Sequence, residues 1–287
     1  MIPNHVIKFI ETALDEDIGS GDITTELTVA KTLNVKAQAI AKEDFVLAGM
    51  PFSRKVYELI TPSVEITVFK NEGERVRTKD VICEINAPAN VILSGERLFL
   101  NILQRLSGIA TITRRFVDEV DGLPVKITDT RKTTPNMRYM EKYAVRQGGG
   151  SNHRFGLSDG VLIKDNHIKA AGGVKEAIRR IKNIPLLTKI EVEVSNIAQL
   201  LEALNEDSVD VIMLDNMPLE EMTEAVNITR SKRNVLLEAS GNVTIENARA
   251  IASCGIDIIS TGLITHSAKA SDISLKITQG NPASRQA

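Results

Sequence analysis

From about residue 124 onward the sequence alternates short apolar runs with helical patterns, a rhythm that restricts the fold more than any other feature. The runs are VKIT (125–128), GVLI (160–163), IEVEV (190–194), VDVIML (209–214), NVLLEA (234–239) and IDIIS (256–260). Helical spacing falls near 136–147, 172–182, 196–205, 218–230, 244–253 and 267–276. After the second run the starts lie roughly 20 to 30 residues apart, the repeat of βα units in a parallel sheet. Nearly every run ends in a charged or polar residue, which predicts a closed α/β barrel with functional groups at the strand C-termini of one face. An open doubly wound sheet usually carries an early Gly-rich turn, and no G-x-G-x-x-G follows a strand here.

The first hundred residues read differently. Residues 5–16 have helical apolar spacing (Val6, Phe9, Ile10, Ala13, Leu14) and end in Gly19-Ser20-Gly21-Asp22. Segments 35–41, 45–49, 64–70 and 81–85 read as strands of a mixed sheet, and 94–117 as a long helix with Leu98, Ile102, Leu106 and Ile109 on one face. Residues 72–96 have the glycine and valine spacing of a biotinyl or lipoyl carrier domain. They lack a lysine at an exposed hairpin tip, so they are read as a structural strand pair.

Composition excludes several classes. At 287 residues, 43% hydrophobic and 25% charged, the chain can bury a core and is neither disordered nor fibrous. No apolar run is long enough to span a membrane. The acidic N-terminal stretch does not resemble a secretory signal. Cys83 and Cys254 are too few and too far apart for a disulfide scaffold, so a cytoplasmic location is expected. A net charge of −2 argues against general nucleic-acid binding. That charge is uneven. Residues 126–169 hold nine basic and four acidic side chains, a local +5 that leaves −7 on the rest, which suits a small anionic substrate. Arg138, Lys142 and Arg146 fall four apart and are expected to form a solvated helix stripe.

The predicted strand ends carry the chemistry. The first delivers Asp129-Thr130-Arg131-Lys132, the second Lys164-Asp165-Asn166-His167, and the fourth Asp215-Asn216. On the third, Lys189, Glu191 and Glu193 share one face, and with Ile190, Val192 and Val194 turned to the helices all three should enter the barrel lumen. Unpartnered burial there would cost several kcal/mol each, so ion pairs, a ligand or a metal are expected. Glu193 and Asp215 on neighbouring strands make a plausible pair of hard oxygen ligands for Mg²⁺ bridging phosphates. The fifth and sixth strands end in Ser240-Gly241-Asn242 and Ser260-Thr261-Gly262 and run into helices, a pattern that suits phosphate binding. Gly148 to Arg154 reads as a flexible loop ending in His153-Arg154. Arg131, Lys132, His153, Arg154 and Lys164 at one mouth would repel one another unless an anion sits among them. Cys254 is expected in the core.

The segment DTRKTTPNMRYMEKYAVRQGGGSNHRFGLSDGVLIKDNHI (129–168) closely resembles the signature of quinolinate phosphoribosyltransferases. The similarity extends through EDIGSGDIT (16–24), GERLFLNILQRLSGIAT (95–111), KIEVEV (189–194), MLDN (213–216), EASGNV (238–243) and STGLIT (260–265). Some relatives have Gly where this chain has Asn242, and many have Gly at Asn136; both are turn positions that tolerate Asn. The resemblance implies an N-terminal α/β sandwich-like domain (1–112), an incomplete α/β barrel of about six to seven strands (113–272), and a tail, 273–287, returning to the first domain. It implies phosphoribosyl transfer from phosphoribosyl pyrophosphate to quinolinate with decarboxylation, and a Mg²⁺ requirement. Arg131, Lys132, His153, Arg154 and Lys164, with Thr130, would bind quinolinate and phosphates; Glu193 and Asp215 would hold the metal-bound phosphoribosyl pyrophosphate, directly or through water. Lys132, Lys164, Glu193 and Asp215 would be catalytic. Ser240, Gly241, Asn242, Gly262 and Leu263 would cradle the 5-phosphate. Arg97 would enter from the partner of a homodimer. Competing readings are a Schiff-base aldolase using Lys164, a silent barrel binding a phosphorylated metabolite, and a paralogue acting on another aromatic acid.

Overall fold

The computed structural model describes residues 2–30 and 32–280. In chain order it begins with α1 (Asn4–Ile18), α2 (Ile23–Thr28), β1 (Asn34–Ala41), β2 (Phe45–Val46), α3 (Met50–Ile60), β3 (Glu65–Val68), β4 (Arg75–Val76), β5 (Val81–Pro88) and α4 (Ala89–Glu119). Strands and helices then alternate: β6 (Lys126–Thr128), α5 (Arg138–Gln147), β7 (Val161–Ile163), α6 (Asp165–Ala171), α7 (Val174–Arg179), β8 (Ile190–Val194), α8 (Ile197–Leu204) and β9 (Val211–Asp215). The remainder is α9 (Leu219–Lys232), β10 (Leu236–Ser240), α10 (Ile245–Ser253), β11 (Ile258–Ser260), α11 (Leu263–His266) and β12 (Ile273–Gly280). No described helix is long and apolar enough to cross a membrane.

Two compact units result. The first gathers the chain up to Arg114 with Thr134–Gly149 and the chain from Ala268 on; the second holds Arg115–Thr133 and Gly150–Ser267. In the first unit the alternation of β1 buries Val35, Ala37, Ala39 and Ala41, the period-two signature of a half-buried strand. Its sheet runs β12-β1-β5-β3, antiparallel throughout. Phe99, Leu103, Leu106 and Ile109 of α4 are completely buried, and Tyr57 of α3 donates its hydroxyl to the Ile92 carbonyl at 3.2 Å.

Three expectations for the first unit are corrected. The helix expected over 267–276 is absent; β12 takes its last four residues, paired with β1 from Ile273 opposite Ala41 onward. Its residues ISLKIT alternate apolar and polar with a period of two, and the β1 edge supplies hydrogen bonds that a surface helix there could not use. The expected tail is therefore seen only as far as residue 280; residues 281–287 lie outside those described. Helix α3 has no counterpart among the predicted elements. The stripe Arg138, Lys142, Arg146 is not uniformly solvated: Lys142 is buried, Arg138 half-buried and only Arg146 exposed. Steps of four residues turn about 40° further each time, so such a stripe curls off the exposed face.

In the second unit, six parallel strands pair in the order β6-β11-β10-β9-β8-β7. Among the described residues, β6 and β7 are not paired with each other, so the closed barrel read from the strand rhythm is instead an incomplete one, as the resemblance implies. Six strands fall short of the eight that usually close such a ring. The free edge of β6 is taken by the segment after Gly150: Ser151 bridges Thr128 and its amide donates to the Ile127 carbonyl at 2.8 Å. The segment expected to be a flexible loop is thus pinned to a strand. On β8, Ile190, Val192 and Val194 are buried, and Glu191 and Glu193 share the opposite face as expected. Lys189 does not join them. It precedes the strand, and its exposed ammonium pairs with Asp210 at 3.1 Å.

Gly108, in α4, tests the packing of the first unit. A Cβ there would fall on the Lys269 carbonyl oxygen. Gly→Ala in an exposed helix gains about 1 kcal/mol. Gly108→Ala should instead lose about 1–3 kcal/mol through overpacking, read as a lower Tm in thermal unfolding. A raised Tm would show that residue 269 gives way.

Candidate active site

The C-terminal ends of the parallel strands in the second unit surround a pocket of about 670 Å³. β6 and its following turn contribute Thr130, Arg131 and Lys132; β7 contributes Leu162 and Lys164. His153 and Arg154 enter from the segment that bridges β6. β8 supplies Glu193, β9 supplies Met213, Asp215 and Asn216, β10 supplies Glu238, Ser240, Gly241 and Asn242, and β11 supplies Ser260. The cationic heads therefore face one shared hollow.

Their placement follows from local chemistry. Asp129, completely buried at the end of β6, accepts from Asn152 Nδ2 at 2.6 Å and from the His153 amide at 2.9 Å, fixing the segment that carries His153 and Arg154. The Lys132 amide donates to Thr130 Oγ1 at 3.0 Å, and the Lys132 carbonyl accepts from Thr265 Oγ1 at 2.8 Å. Arg154 Nη1 donates to the Gly160 carbonyl at 2.9 Å, while its buried Nε finds no protein acceptor. Burial, and then the charge of Arg131, lower the pKa of Arg154. A ligand anion between the two guanidiniums would relieve both effects.

The acids divide into two groups. At the pocket wall, Glu193 Oε2 stands 3.3 Å from Lys164 Nζ, and Asp215 Oδ2 accepts from Asn216 Nδ2 at 2.9 Å. Each carboxylate also has a second oxygen, so adjacent strands present hard donors of the type Mg²⁺ takes when phosphates complete its shell. Deeper down, His153 Nε2 lies 3.0 Å from Glu191 Oε2 and 3.5 Å from Glu238 Oε2, and the Arg154 amide donates to Nδ1 at 2.9 Å. Burial disfavours charge on this ring, and the two glutamates push its pKa upward. The amide hydrogen aimed at Nδ1 opposes a second ring proton, however. The cluster's extra proton then belongs on the carboxyl side, where burial raises the pKa of Glu191.

At the β9 and β10 ends, Asn216, Gly241 and Asn242 all have left-handed backbones, with φ of 55°, 85° and 48°. Asn242 Nδ2 donates to Asn216 Oδ1 at 2.8 Å, and a Cβ on Gly241 would strike the Asn216 amide. Only glycine fits there. Ser260 Oγ donates to Ser240 Oγ at 3.1 Å.

Eleven expected site residues line this pocket: Thr130, Arg131, Lys132, His153, Arg154, Lys164, Glu193, Asp215, Ser240, Gly241 and Asn242. Three do not. A Cβ on Gly262 would meet Lys132 Cδ at 2.8 Å, so this glycine makes room for Lys132, and the Leu263 amide already donates to Thr261 Oγ1 at 3.2 Å. Arg97 lies exposed on α4, whose residues to Arg114 belong to the first unit. Glu238 and Asn216 line the pocket although neither was singled out from the sequence as a site residue. The signal for Glu238 was its acidic place in the apolar run LLEAS, in phase with Ser240.

Comparison with known proteins bears on the family and the fold. Residues 22–107 match the family described as quinolinate phosphoribosyl transferase, N-terminal domain, and residues 109–276 match its C-terminal domain. The probable nicotinate-nucleotide pyrophosphorylase (carboxylating) of Bacillus subtilis (strain 168) is 43% identical over 267 residues, covering 93% of this chain and 91% of that protein. A solved structure of the nicotinate-nucleotide pyrophosphorylase from Francisella tularensis superposes with a TM-score of 0.89 at 38% identity, covering 97% of this chain and 98% of that one. The corresponding structure from Ehrlichia chaffeensis gives a TM-score of 0.89 at 42% identity, covering 94% and 98%. With both domains matched in order along nearly the whole chain, the protein belongs to the quinolinate phosphoribosyltransferase family.

Proposed function

We propose that this chain transfers the phosphoribosyl group of phosphoribosyl pyrophosphate to quinolinate with loss of CO₂, yielding nicotinate mononucleotide and pyrophosphate for NAD biosynthesis. The observation that carries this reading is the guanidinium pair Arg131 and Arg154, flanked by Lys132 and Lys164, around one pocket in a chain of this family. A substrate with two carboxylates uses such a set more fully than one with a single carboxylate, and each charge-assisted bond contributes about 1.5–3 kcal/mol.

In this reading Arg131, Arg154 and Lys132 bind the dicarboxylate, while Ser240, Gly241 and Asn242 receive the 5-phosphate. The pyridine nitrogen forms a bond to the anomeric carbon as the bond to pyrophosphate breaks, and the positive charge built up there is stabilised by Glu193 and Asp215. Ribosylation leaves the ring nitrogen cationic, so the adjacent carboxylate departs as CO₂ and its electron pair remains on the ring carbon until a proton arrives. Glu193 and Asp215 would also hold Mg²⁺, which supplies charge neutralisation to the leaving pyrophosphate. Arg97 completes the site from the partner in a homodimer. The two unpaired cysteines suit a reducing, cytoplasmic setting. A Schiff-base mechanism asks for a lysine amine buried away from anions. Lys164 instead stands beside Glu193 with about half its side chain exposed.

The direct test is release of ¹⁴CO₂ from carboxyl-labelled quinolinate, expected only when phosphoribosyl pyrophosphate is present; none in either condition would defeat the reading. Arg131→Ala and Arg154→Ala should each lower kcat/KM at least about tenfold, or 1.4 kcal/mol. Gly241→Ala should raise the KM for phosphoribosyl pyrophosphate at least about tenfold, because its methyl displaces Asn216. Mixing inactive Arg97→Ala and Lys164→Ala proteins should restore part of the activity through hybrid dimers. Confirmed hybrids without activity would count against a shared site.

A further inference from the structure

Two buried carboxylates beside His153, one of them in the pocket lining, are not used by the reaction above. Glu238 is 1% exposed and Glu191 7%, and on each the Oε1 atom is buried without a protein partner. Together with His153 they offer three ligand atoms within 4.8 Å of one another, the outline of a cation site. The hydrogen bonding of His153 argues against a cation. Nδ1 accepts the Arg154 amide hydrogen and therefore carries no proton, which leaves the single ring proton on Nε2, facing Glu191. A metal on Nε2 would force that proton onto Nδ1, against the Arg154 amide.

Resting on the quinolinate reading, we propose that Glu191 and Glu238 are positioning residues for recognition of quinolinate, acting through His153 on Arg154. The two carboxylates receive the Nε2 hydrogen and lock the ring. The ring receives the Arg154 amide, and Asp129 receives the preceding amide, that of His153. Three buried acids therefore hold the two successive amides, of His153 and Arg154, that lead into the Arg154 side chain. Its side chain is tied to Gly160 through Nη1, which leaves Nε as a desolvated donor with no acceptor in the protein. A donor so placed is preorganised for a substrate carboxylate, and loosening it costs affinity for that substrate first. Both ring nitrogens of His153 are engaged with protein atoms, so its part here is to anchor Arg154 rather than to supply a cation.

The test is steady-state kinetics of the full-length enzyme with each substrate varied. Glu191→Leu and Glu238→Leu should raise the KM for quinolinate at least about tenfold and leave the KM for phosphoribosyl pyrophosphate within about twofold. Glu191→Gln and Glu238→Gln keep an acceptor for Nε2 and should stay within about threefold of wild type for both substrates. If the leucine variants do not fold, His153→Phe keeps the ring and removes both nitrogens, and it should produce the same selective rise. A parallel change in both KM values, no change, or glutamine variants as impaired as leucine ones would overturn the proposal. So would one tightly held divalent ion per chain that is lost in these variants. A wild-type enzyme that releases no CO₂ from quinolinate defeats the functional reading instead, and the two failures are thereby separable.

Discussion

Arg131 and Arg154 stand close enough that the charge of one disfavours the charge of the other, and Arg154 is partly desolvated as well. Holding two guanidiniums in that relation without a ligand is unfavourable, and the surrounding structure is what keeps them there. Asp129 fixes the chain leading into Arg154, the Gly160 carbonyl fixes one of its nitrogens, and the Thr265 hydroxyl holds the Lys132 carbonyl next to Arg131. These partners are a backbone carbonyl, a hydroxyl and a buried carboxylate. Glu191 and Asp159 favour the charge on Arg154, but burial and Arg131 outweigh them, so an added anion is still attracted there.

The same economy governs the phosphate end. Here the donors are set by backbone conformation instead of by charge. Three residues at two neighbouring strand ends, Asn216, Gly241 and Asn242, adopt left-handed φ values that a β-branched residue would resist. Asp215 can only accept, so it draws the amino group of Asn216, which leaves the Asn216 oxygen to receive Asn242. A carboxylate read as a metal ligand is in this way linked, through two amides, to the turn read as the phosphate cradle.

Much of this is legible in the sequence. The six apolar runs each became a strand, because parallel strands covered on both faces read as continuous hydrophobic stretches. The alternation in IEVEV placed Glu191 and Glu193 on one face correctly. It misplaced Lys189, because periodicity does not say where a strand starts, and Asp210 outside it offered a better partner than the interior. The helix read over 267–276 is wrong because helical spacing and strand alternation overlap in a short segment, and only the open edge of β1 decides between them. Asn216 and Glu238 stand at predicted strand ends, yet the sequence gives them no role, for a different reason. Their roles arise from neighbours 26 and 85 residues away, Asn242 and His153, and no local pattern encodes a contact across that separation.

Strand order explains how opposite charges share one pocket without cancelling. β6 and β7 are the two edges of the sheet, and the arginines and lysines come from those edges or from the segment bridged to β6. Glu193 and Asp215 arise on β8 and β9, and the Ser-Gly-Asn turn on β10. A ring closed by further strands between β6 and β7 would surround the edge cations with hydrogen-bonded backbone. In the incomplete ring, the β6 edge is available to bind the Ser151 segment, and that segment delivers His153 and Arg154 beside Arg131. The missing closure is therefore part of the site: the backbone groups left unpaired at one sheet edge are what bring the second guanidinium to the first.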